Sequence, residues 1–291
     1  MPTTVRPRRS ALYVPGSNPR ALDKAGTLPA DVLLLDLEDA VAPDAKEAAR
    51  RAVVEALGRR AAFGRRELVV RINGLDTPWG HGDLAALAGA GADAVLLPKV
   101  ESADAVRRAR AVLEAEGAPS DLPIWCMMET PRGILRALEI AEAPAVACLV
   151  MGTSDLTKDL HALHTGERLP MLVALGTCLL AARAAGLAIL DGVHLDLADA
   201  AGFAAACRQG RALGFDGKTV IHPSQIGPAN EAFGPDAAAL EQARRIVAAY
   251  AEARARGAGV AVLDGRLVEA LHVREAERLL ALAAAIAEAG G

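Results

Sequence analysis

Short apolar runs recur along the chain, separated by longer stretches in which charged and apolar residues alternate at helical spacing. Such runs, too short for helices and flanked by polar residues, predict strands that are buried on both faces. Eight of them can be recognised: SALYVP (10–15), VLLLDLED (32–39), ELVVRIN (67–73), AVLLPKV (94–100), IWCMMET (124–130), AVACLVMGTSD (145–155), LAILDGVHLD (187–196) and GKTVIHP (217–223).

The alanine-rich stretches between the runs predict helices that return the chain over a sheet. Two clear cases are PDAKEAARRAVVEALGRR (43–60) and SADAVRRARAVLEAEG (102–117). Strand and helix in alternation indicate an α/β fold with a parallel sheet covered on both faces. Eight units in about 223 residues match a closed TIM (β/α)8 barrel better than an open doubly wound sheet. The open sheet stays as the alternative, because periodicity does not establish closure.

The chain continues well past the eighth run. We expect the barrel to occupy residues 1–230 and a C-terminal extension to occupy 231–291. The extension is predicted to contain a helix near 236–256 and a final helix at about 272–289. Between them, VAVLDGRLVE has a DG turn between apolar residues, which predicts a hairpin or flap. This extension should pack on the barrel or on a neighbouring subunit.

Composition favours a soluble enzyme over a nucleic-acid or membrane protein. The 291 residues are 52% hydrophobic and 23% charged, which suits one intracellular globular protein. The net charge of -4 gives no indication of a basic surface that would bind nucleic acid. The most apolar stretch, 172–190, is interrupted by Arg183, so it predicts a helix followed by the seventh strand rather than a membrane span.

The start of the chain and the cysteines point to the cytoplasm. MPTTVRPRRS leads into no long apolar segment, so no signal peptide is expected. The four cysteines lack C-x-x-C spacing and are predicted to be buried free thiols in a reducing cytoplasm. They are Cys126, Cys148, Cys178 and Cys207.

Two carboxylates stand at the ends of successive predicted strands. Glu129 ends the fifth run and Asp155 ends the sixth. The carboxyl ends of parallel strands meet at one rim, where two carboxylates can hold a divalent cation against a substrate. Oxygen ligands without a nitrogen or sulfur set favour Mg²⁺ or Mn²⁺ over zinc. The pattern therefore predicts a barrel enzyme with a metal.

Charged residues at three other strand ends each allow more than one interpretation. Arg71 either pairs with a rim carboxylate or recognises an oxyanion or substrate carboxylate. Lys99 raises the possibility of Schiff-base aldolase chemistry, with a salt bridge or a phosphate contact as alternatives. Asp36 and Glu38 point to the same side of the second strand. One of them could hold the water shell of the metal or orient Arg71, unless the two only form an ion pair inside the barrel.

The histidines and the missing motifs narrow the reaction classes. His161 and His164 have the i, i+3 spacing of metal ligands on a helix, but no third nitrogen or sulfur ligand is nearby. His222 is expected to brace the rim. The sequence has no GxGxxG, Walker A, GxSxG or HExxH motif, which argues against nucleotide transfer, serine hydrolase and zinc peptidase chemistry.

Seven phrases occur in a fixed order along the chain: SALYVPGSNPRALDKA, LLLDLEDAVAPDAKEAAR, VVRINGLDTPWGHGDL, LLPKVESADAV, METPRGIL, MGTSDLTKDL and GFDGKTVIHPSQI. Together they resemble the citrate lyase β subunit-like branch of the HpcH/HpaI aldolase family, from about residue 10 to the C-terminal helix. The resemblance implies a TIM barrel, trimers or paired trimers, and substrates that are CoA thioesters.

Site roles follow from the resemblance residue by residue. It makes Glu129 and Asp155 the magnesium ligands and Arg71 the substrate-binding arginine. Tyr13 matches an aromatic position that lines the CoA site, and Lys24 matches a lysine near the CoA phosphates. The other candidates are Asp36, Lys99 and Ser154 for substrate or CoA binding, and Glu38 for catalysis.

The chain departs from the family pattern at two places. Asn18 stands where malyl-CoA lyases have an arginine, which leaves Arg20 as a candidate to share the phosphate contacts. Many relatives have a tail motif Gly-x-Met-Ile-Asp whose aspartate reaches into a neighbouring subunit as an acid/base. The matching residues here run from Gly265 to Glu269, so the carboxylate is one methylene longer and its geometry differs.

Three hypotheses of function result. The first is a Mg²⁺-dependent lyase that cleaves malyl-CoA or citramalyl-CoA to acetyl-CoA and a 2-oxo acid by retro-Claisen chemistry. In that reaction Arg71 would stabilise the enolate oxygen, and Glu269 of another subunit would protonate its carbon. The second is a CoA-thioester hydrolase or a citrate lyase subunit that uses the same site. The third is a non-catalytic or carrier-binding relative, which the intact set of Glu129, Asp155 and Arg71 disfavours.

Overall fold

The computed structural model describes residues 5–290 and contains a closed barrel of eight parallel strands. Each strand pairs with the next one, and the eighth pairs with the first through Ser10↔Lys218 to Leu12↔Val220. The predicted barrel is thus confirmed and the open sheet is ruled out. The strands are β1 (Ser10–Pro15), β2 (Val32–Asp36), β3 (Glu67–Arg71), β4 (Ala94–Leu97), β5 (Ile124–Met128), β6 (Val146–Met151), β7 (Ala188–Asp191) and β8 (Gly217–Val220).

Helices connect these strands on the outside of the barrel. The segment predicted over 43–60 contains α2, the segment over 102–117 contains α4, and 172–190 folds as a helix followed by β7. The helices are α1 (Pro19–Ala25), α2 (Lys46–Gly58), α3 (Gly80–Leu87), α4 (Ala103–Ala115), α5 (Pro131–Leu135), α6 (Ala137–Ala141), α7 (Thr153–Asp159), α8 (Leu172–Ala184), α9 (Ala200–Leu213) and α10 (Ile226–Phe233).

The barrel wall separates two apolar layers. Strand residues alternate between an inner layer and an outer layer that packs under the helices. Leu34, Val69 and Met127 belong to the inner layer. The residues two positions further on are Asp36, Arg71 and Glu129. Because the period of a strand is two, these three charged side chains emerge inside the rim at the carboxyl ends of the strands.

Residues 234–290, with residues 5–7, form a second unit apart from Arg8–Phe233. It contains α11 (Ala237–Ala255), the antiparallel strands β9 (Ala261–Leu263) and β10 (Arg266–Val268), and α12 (Ala270–Gly290). Asp264 and Gly265 have φ values of 50° and 75°, which a two-residue type I′ hairpin requires. The predicted hairpin and both helices are confirmed. The division follows Phe233, a few residues beyond the boundary expected at 230.

The structure settles several smaller expectations. No helix within 5–290 is long and apolar enough to cross a membrane. All four cysteines are buried and free, as predicted. The helical spacing of His161 and His164 does not apply, because α7 ends at Asp159 and His161 has a φ of 52°. His222 caps the turn after β8, where its Nδ1 accepts the Ser224 N–H at 3.2 Å.

Candidate active site

The guanidinium of Arg71 is held inside the rim by a bidentate ion pair. Its Nε donates to Asp36 Oδ1 and its Nη2 to Asp36 Oδ2, both at 2.7 Å, and both side chains are buried. Asp36 also accepts the backbone N–H groups of Glu38 and Ala40. The ring of Tyr13 lies 4.7 Å from the guanidinium carbon. Arg71 is therefore oriented on one edge and covered on one face.

The remaining edge of Arg71 faces two other carboxylates. Its Nη1 lies 2.9 Å from Glu38 Oε2, without the angle of a hydrogen bond, and donates to Asp39 Oδ2 at 3.3 Å. The Asp39 side chain is 56% exposed. This contact of 3.3 Å is long for a charged pair, so an anionic ligand can take the place of Asp39. The rim pairing that was one interpretation of Arg71 is present, and Nη1 stays available to a ligand.

Glu38 links the second and fourth strands across the rim. Its Oε1 accepts the Lys99 ammonium at 2.9 Å, and burial raises its pKa above the ordinary value for a glutamate. Its backbone carbonyl accepts Lys46 Nζ at 2.7 Å, and Lys46 also binds the Leu37 carbonyl. Sequence reasoning missed this role of Lys46, because a lysine at the start of an amphipathic helix looks like an exposed residue.

Lys99 contacts two parts of the site at once. Its backbone N–H donates to Glu129 Oε1 at 2.8 Å while its side chain pairs with Glu38. The backbone has a φ of 46°, in the left-handed region that few residues other than glycine adopt. Burial alone would lower the pKa of the Lys99 ammonium, but the bond to Glu38 raises it above the ordinary value. Strain of this kind is characteristic of functional sites.

Glu129 is an almost fully buried carboxylate, 1% exposed, at the end of β5. Burial raises its pKa to about 7. Gly152 lies directly against it, since an added Cβ would overlap with Glu129 Cβ and Oε2. Gly152 precedes α7, whose first turn carries the half-buried Ser154 and Asp155. The glycine thus allows the start of α7 to approach Glu129.

These residues suit a hard divalent cation. Among residues 5–290 no group of three or more His, Cys, Asp or Glu side chains could hold a metal. The donors on offer are the two carboxylates of Glu129 and Asp155, so the other positions of the ion would go to water or substrate, as is usual for Mg²⁺. A cation would also neutralise the buried charge of Glu129, whose Oε2 lies in the space that Gly152 leaves open.

Two predicted site residues make none of the contacts described above. Lys24 is exposed on α1, where the Asn18 side chain caps the helix by accepting the Ala21 N–H at 3.1 Å. Glu269 is exposed in the C-terminal unit, between β10 and α12, and its N–H donates to His272 Nδ1 at 3.0 Å. Their roles stay predictions.

Comparison with known proteins identifies a family. A family model described as HpcH/HpaI aldolase/citrate lyase matches residues 9–223. A (3S)-malyl-CoA thioesterase of Cereibacter sphaeroides is 52% identical over 282 residues, with 97% of this chain and 96% of that protein covered. The citrate lyase subunit beta of Leuconostoc mesenteroides subsp. cremoris is 37% identical over 284 residues, with 96% and 94% covered.

A solved structure of the same kind covers nearly the whole chain. It is the crystal structure of the protein CitE from Mycobacterium tuberculosis in complex with magnesium, acetoacetate and coenzyme A. The TM-score is 0.78 at 34% sequence identity, and 97% of this chain and 100% of that chain are covered. The likeness therefore extends over both units of the chain.

Proposed function

Because the chain belongs to the HpcH/HpaI aldolase/citrate lyase family, we propose that it is a Mg²⁺-dependent enzyme that hydrolyses a CoA thioester of the malyl-CoA kind. The observation that carries this choice is the 52% identity to a (3S)-malyl-CoA thioesterase, against 37% to a citrate lyase subunit beta. The first hypothesis from the sequence, carbon–carbon cleavage, becomes the second candidate. It is favoured by the citrate lyase relative and by the same set of site residues.

Glu129 and Asp155 would hold the metal, which is Mg²⁺ with Mn²⁺ as a substitute. When bound, the ion supplies Lewis-acid polarisation of the hydroxyl and carboxylate groups of the substrate. The Lys99 N–H holds Glu129 Oε1 in place, which leaves Oε2 beside the open space at Gly152. The solved magnesium complex of a relative supports this assignment.

Arg71 would stabilise the negative charge that develops on the thioester oxygen. Hydrolysis adds water to the thioester carbon, breaks its bond to sulfur and transfers a proton to the thiolate. Cleavage instead breaks the bond between the second and third acyl carbons and delivers a proton to the second carbon. Both reactions place charge on the same oxygen. Asp36 and Tyr13 fix the guanidinium beforehand, so its Nη1 needs little reorganisation to meet that charge.

The remaining roles concern binding and proton transfer. Tyr13 and Lys24 would contact the CoA part of the substrate, and Ser154 would bind the substrate beside the proposed metal ligands. Glu38 would adjust the charge at Arg71 through its contact with Nη1. Glu269 would act as the acid/base, directing water in hydrolysis or protonating carbon in cleavage.

The test is an incubation of the purified protein and Mg²⁺ with a panel of 3-hydroxyacyl-CoA esters, in which free thiol and 2-oxo acid are measured separately. Free thiol with an intact hydroxy acid supports hydrolysis. A 2-oxo acid without free thiol assigns the lyase reaction instead. If the parent protein forms neither product, the proposed function is wrong.

We further propose a homotrimer, or two paired trimers, in which Glu269 completes the site of a neighbouring subunit. Support comes from large apolar side chains that are exposed on the barrel unit, such as Leu135 (86%), Val173 (81%) and Leu163 (77%). Exposed apolar surface of this kind marks protein interfaces. The test mixes inactive Glu269→Gln with inactive Asp155→Asn under subunit exchange. Restored activity supports a shared site, and confirmed exchange without activity contradicts it.

A further inference from the structure

A cavity opens at the carboxyl ends of β2 to β5, next to the site described above. Its volume is about 910 Å³, within the range of small-molecule sites. Glu38 and Lys99 line it, whereas Arg71 and Glu129 do not. Glu38 and Lys99 pair with each other. Because Glu38 also contacts Arg71 and the Lys99 N–H also binds Glu129, the Glu38–Lys99 ion pair forms the partition between the cavity and the candidate metal site.

Three arginines stand on one wall of this cavity and have weak partners. Arg132 Nε lies 3.4 Å from Glu101 Oε2, and Arg136 Nη1 donates to the Glu101 carbonyl oxygen, also at 3.4 Å. Both distances are long for charged groups, which bond at about 2.7–2.9 Å. Arg108, on α4, makes no hydrogen bond or ion pair with any residue in the described part of the chain. The wall therefore presents guanidinium groups with unused donors.

The acidic lining does not neutralise this wall. Glu38 and Asp39 already pair with Arg71, which lies outside the cavity. That leaves Glu101 and the exposed Asp76 as the other carboxylates of the lining. The lining has two further cations, Lys46 and Lys99. Lys46 is bound by the Leu37 and Glu38 carbonyls, and Lys99, whose side chain is 48% exposed, pairs with Glu38. The three arginines therefore outnumber the two carboxylates, Glu101 and Asp76, that remain for them in the lining.

The rest of the lining is apolar or aromatic. The half-buried Trp79 contributes its ring, and Ile72, Leu75 and Leu97 contribute aliphatic surface. A ligand that fits therefore needs an apolar or aromatic group as well as negative charge. A single carboxylate satisfies one guanidinium fork, whereas a phosphate group offers three acceptor oxygens and close to two charges. Several arginines around one space favour the phosphate.

We propose that this cavity binds a small organic phosphate with an apolar or aromatic group, separately from the metal site. The bound phosphate contacts the arginine wall and competes with Glu38 for the Lys99 ammonium. Because Glu38 also contacts Arg71, occupation of the cavity changes the charge next to the candidate active site. The inference concerns binding alone and does not depend on the proposed reaction.

The experiment is isothermal titration calorimetry with phenyl phosphate in buffer free of divalent ions. We expect saturable binding that is weakened about tenfold or more in the double variant Arg108→Ala/Arg132→Ala, because two charge-assisted contacts are lost. Both arginines are exposed, so these variants should keep the parent melting temperature. The matched control is Arg107→Ala, on the same helix but paired with Asp104 outside the cavity, and it should bind as the parent does.

Other arms of the titration separate the alternatives. Glu129→Gln should bind phenyl phosphate as the parent does, and benzoate should bind at least about tenfold more weakly than phenyl phosphate. If saturating CoA displaces phenyl phosphate, the phosphate in the cavity is that of CoA itself. If it does not, the ligand is a separate molecule. The proposal is overturned by no binding at millimolar phenyl phosphate, by equal binding of benzoate, or by binding that Glu129→Gln abolishes and the double variant retains.

Discussion

Two groups of charged side chains on different strands of this barrel have opposite properties. We call Asp36, Glu38, Arg71, Lys99 and Glu129 the rim set, and Arg168, Asp191 and Lys218 the outer set. In the outer set, Lys218 Nζ lies 2.9 Å from Asp191 Oδ2, and Arg168 Nη1 lies 2.7 Å from both oxygens of the same carboxylate. Asp191 and Lys218 are 0% exposed.

The difference arises from the side of the barrel wall on which each set lies. Leu190 belongs to the inner apolar layer, so the next residue, Asp191, points outward under α9. Gly210 on α9 leaves the space for it, since an added Cβ would lie 2.9 Å from Asp191 Oδ2. The Asp191 carboxylate accepts hydrogen bonds from the Gly192 N–H, from Lys218 and from Arg168. The outer set is closed to ligands and satisfied within the protein.

The rim set points into the barrel mouth and is not balanced. Its carboxylates, with Asp39 and Asp155 close by in sequence, outnumber its two cations, and burial raises the pKa of Glu129 to about 7. A buried carboxylate without a matching cation costs stability unless a ligand supplies the charge. The comparison indicates that similar residue types serve stability on one side of the wall and ligand binding on the other.

The largest expected effect is the loss of turnover in Glu129→Gln. The change removes a proposed metal ligand and leaves the shape of the side chain, so the rate of CoA-ester conversion should fall by at least about 10³-fold, or ~4 kcal/mol. The measurements are thiol and 2-oxo acid release, with the urea midpoint as the control for folding. Full activity of the parent protein in excess chelator would show that the rim set does not work through a metal.

The second effect concerns stability and belongs to the outer set. Within residues 5–290, Asp191 is the only carboxylate that pairs with Lys218 and Arg168, so Asp191→Asn leaves these two cations without that counter-charge. We expect a loss of about 3 kcal/mol in the free energy of unfolding, measured by urea denaturation. The double variant Asp191→Leu/Lys218→Met should recover part of it, because the buried pair is replaced by apolar groups. A loss below ~1 kcal/mol for the single change would contradict the structural role.

The contrast also shows where sequence reasoning ends. The eight apolar runs predicted the barrel because a closed parallel sheet needs strands that are apolar on both faces. The strand-end rule selected Arg71 and Glu129, but it applies equally to Asp191, which also ends an apolar run. When both faces are apolar, the sequence does not say which side of the wall a terminal residue takes.

Two other features depended on tertiary structure. Arg168 reaches Asp191 from a distant loop, and Lys99 binds Glu129 through a backbone that takes a left-handed φ without being glycine. Neither leaves a local pattern in the sequence, because both conformations are imposed by contacts with residues far along the chain. The strand-end carboxylates were therefore predictable as candidates, and their supporting contacts were not.

A third prediction measures the cost of the rim set in metal-free protein. The pKa of Glu129 is raised from about 4.3 in an unfolded chain to about 7 in the folded one. The folded state therefore binds more protons than the unfolded state in that window, and stability falls as pH rises through it. At pH values above the folded pKa and in chelator, Glu129→Gln should be more stable than the parent by up to ~4 kcal/mol, the free energy that corresponds to the difference between the two pKa values. Urea melts at several pH values give the difference.

That difference should vanish below the unfolded pKa of the carboxyl group, where both forms of the protein carry a neutral side chain at this position. Added Mg²⁺ should stabilise the parent at high pH and leave Glu129→Gln unchanged, because only the parent keeps both of the proposed metal ligands. A parent protein that is more stable than the variant in chelator at high pH would contradict the view that Glu129 is a charge held for a ligand.

The last prediction is the absence of an effect: borohydride should trap no imine on Lys99. Imine formation needs a neutral amine, but Lys99 Nζ is bonded to Glu38 at 2.9 Å and its pKa is raised above the ordinary value for a lysine. Borohydride reduction in the presence of a 2-oxo acid should therefore leave Lys99 without an adduct, as judged by peptide mass spectrometry. The exposed Lys24 reports non-specific labelling, and the buried, paired Lys218 shows the background of an inaccessible lysine. An adduct at Lys99 that exceeds the one at Lys24 would make Lys99 a nucleophile and transfer the rim set from metal-assisted to imine chemistry.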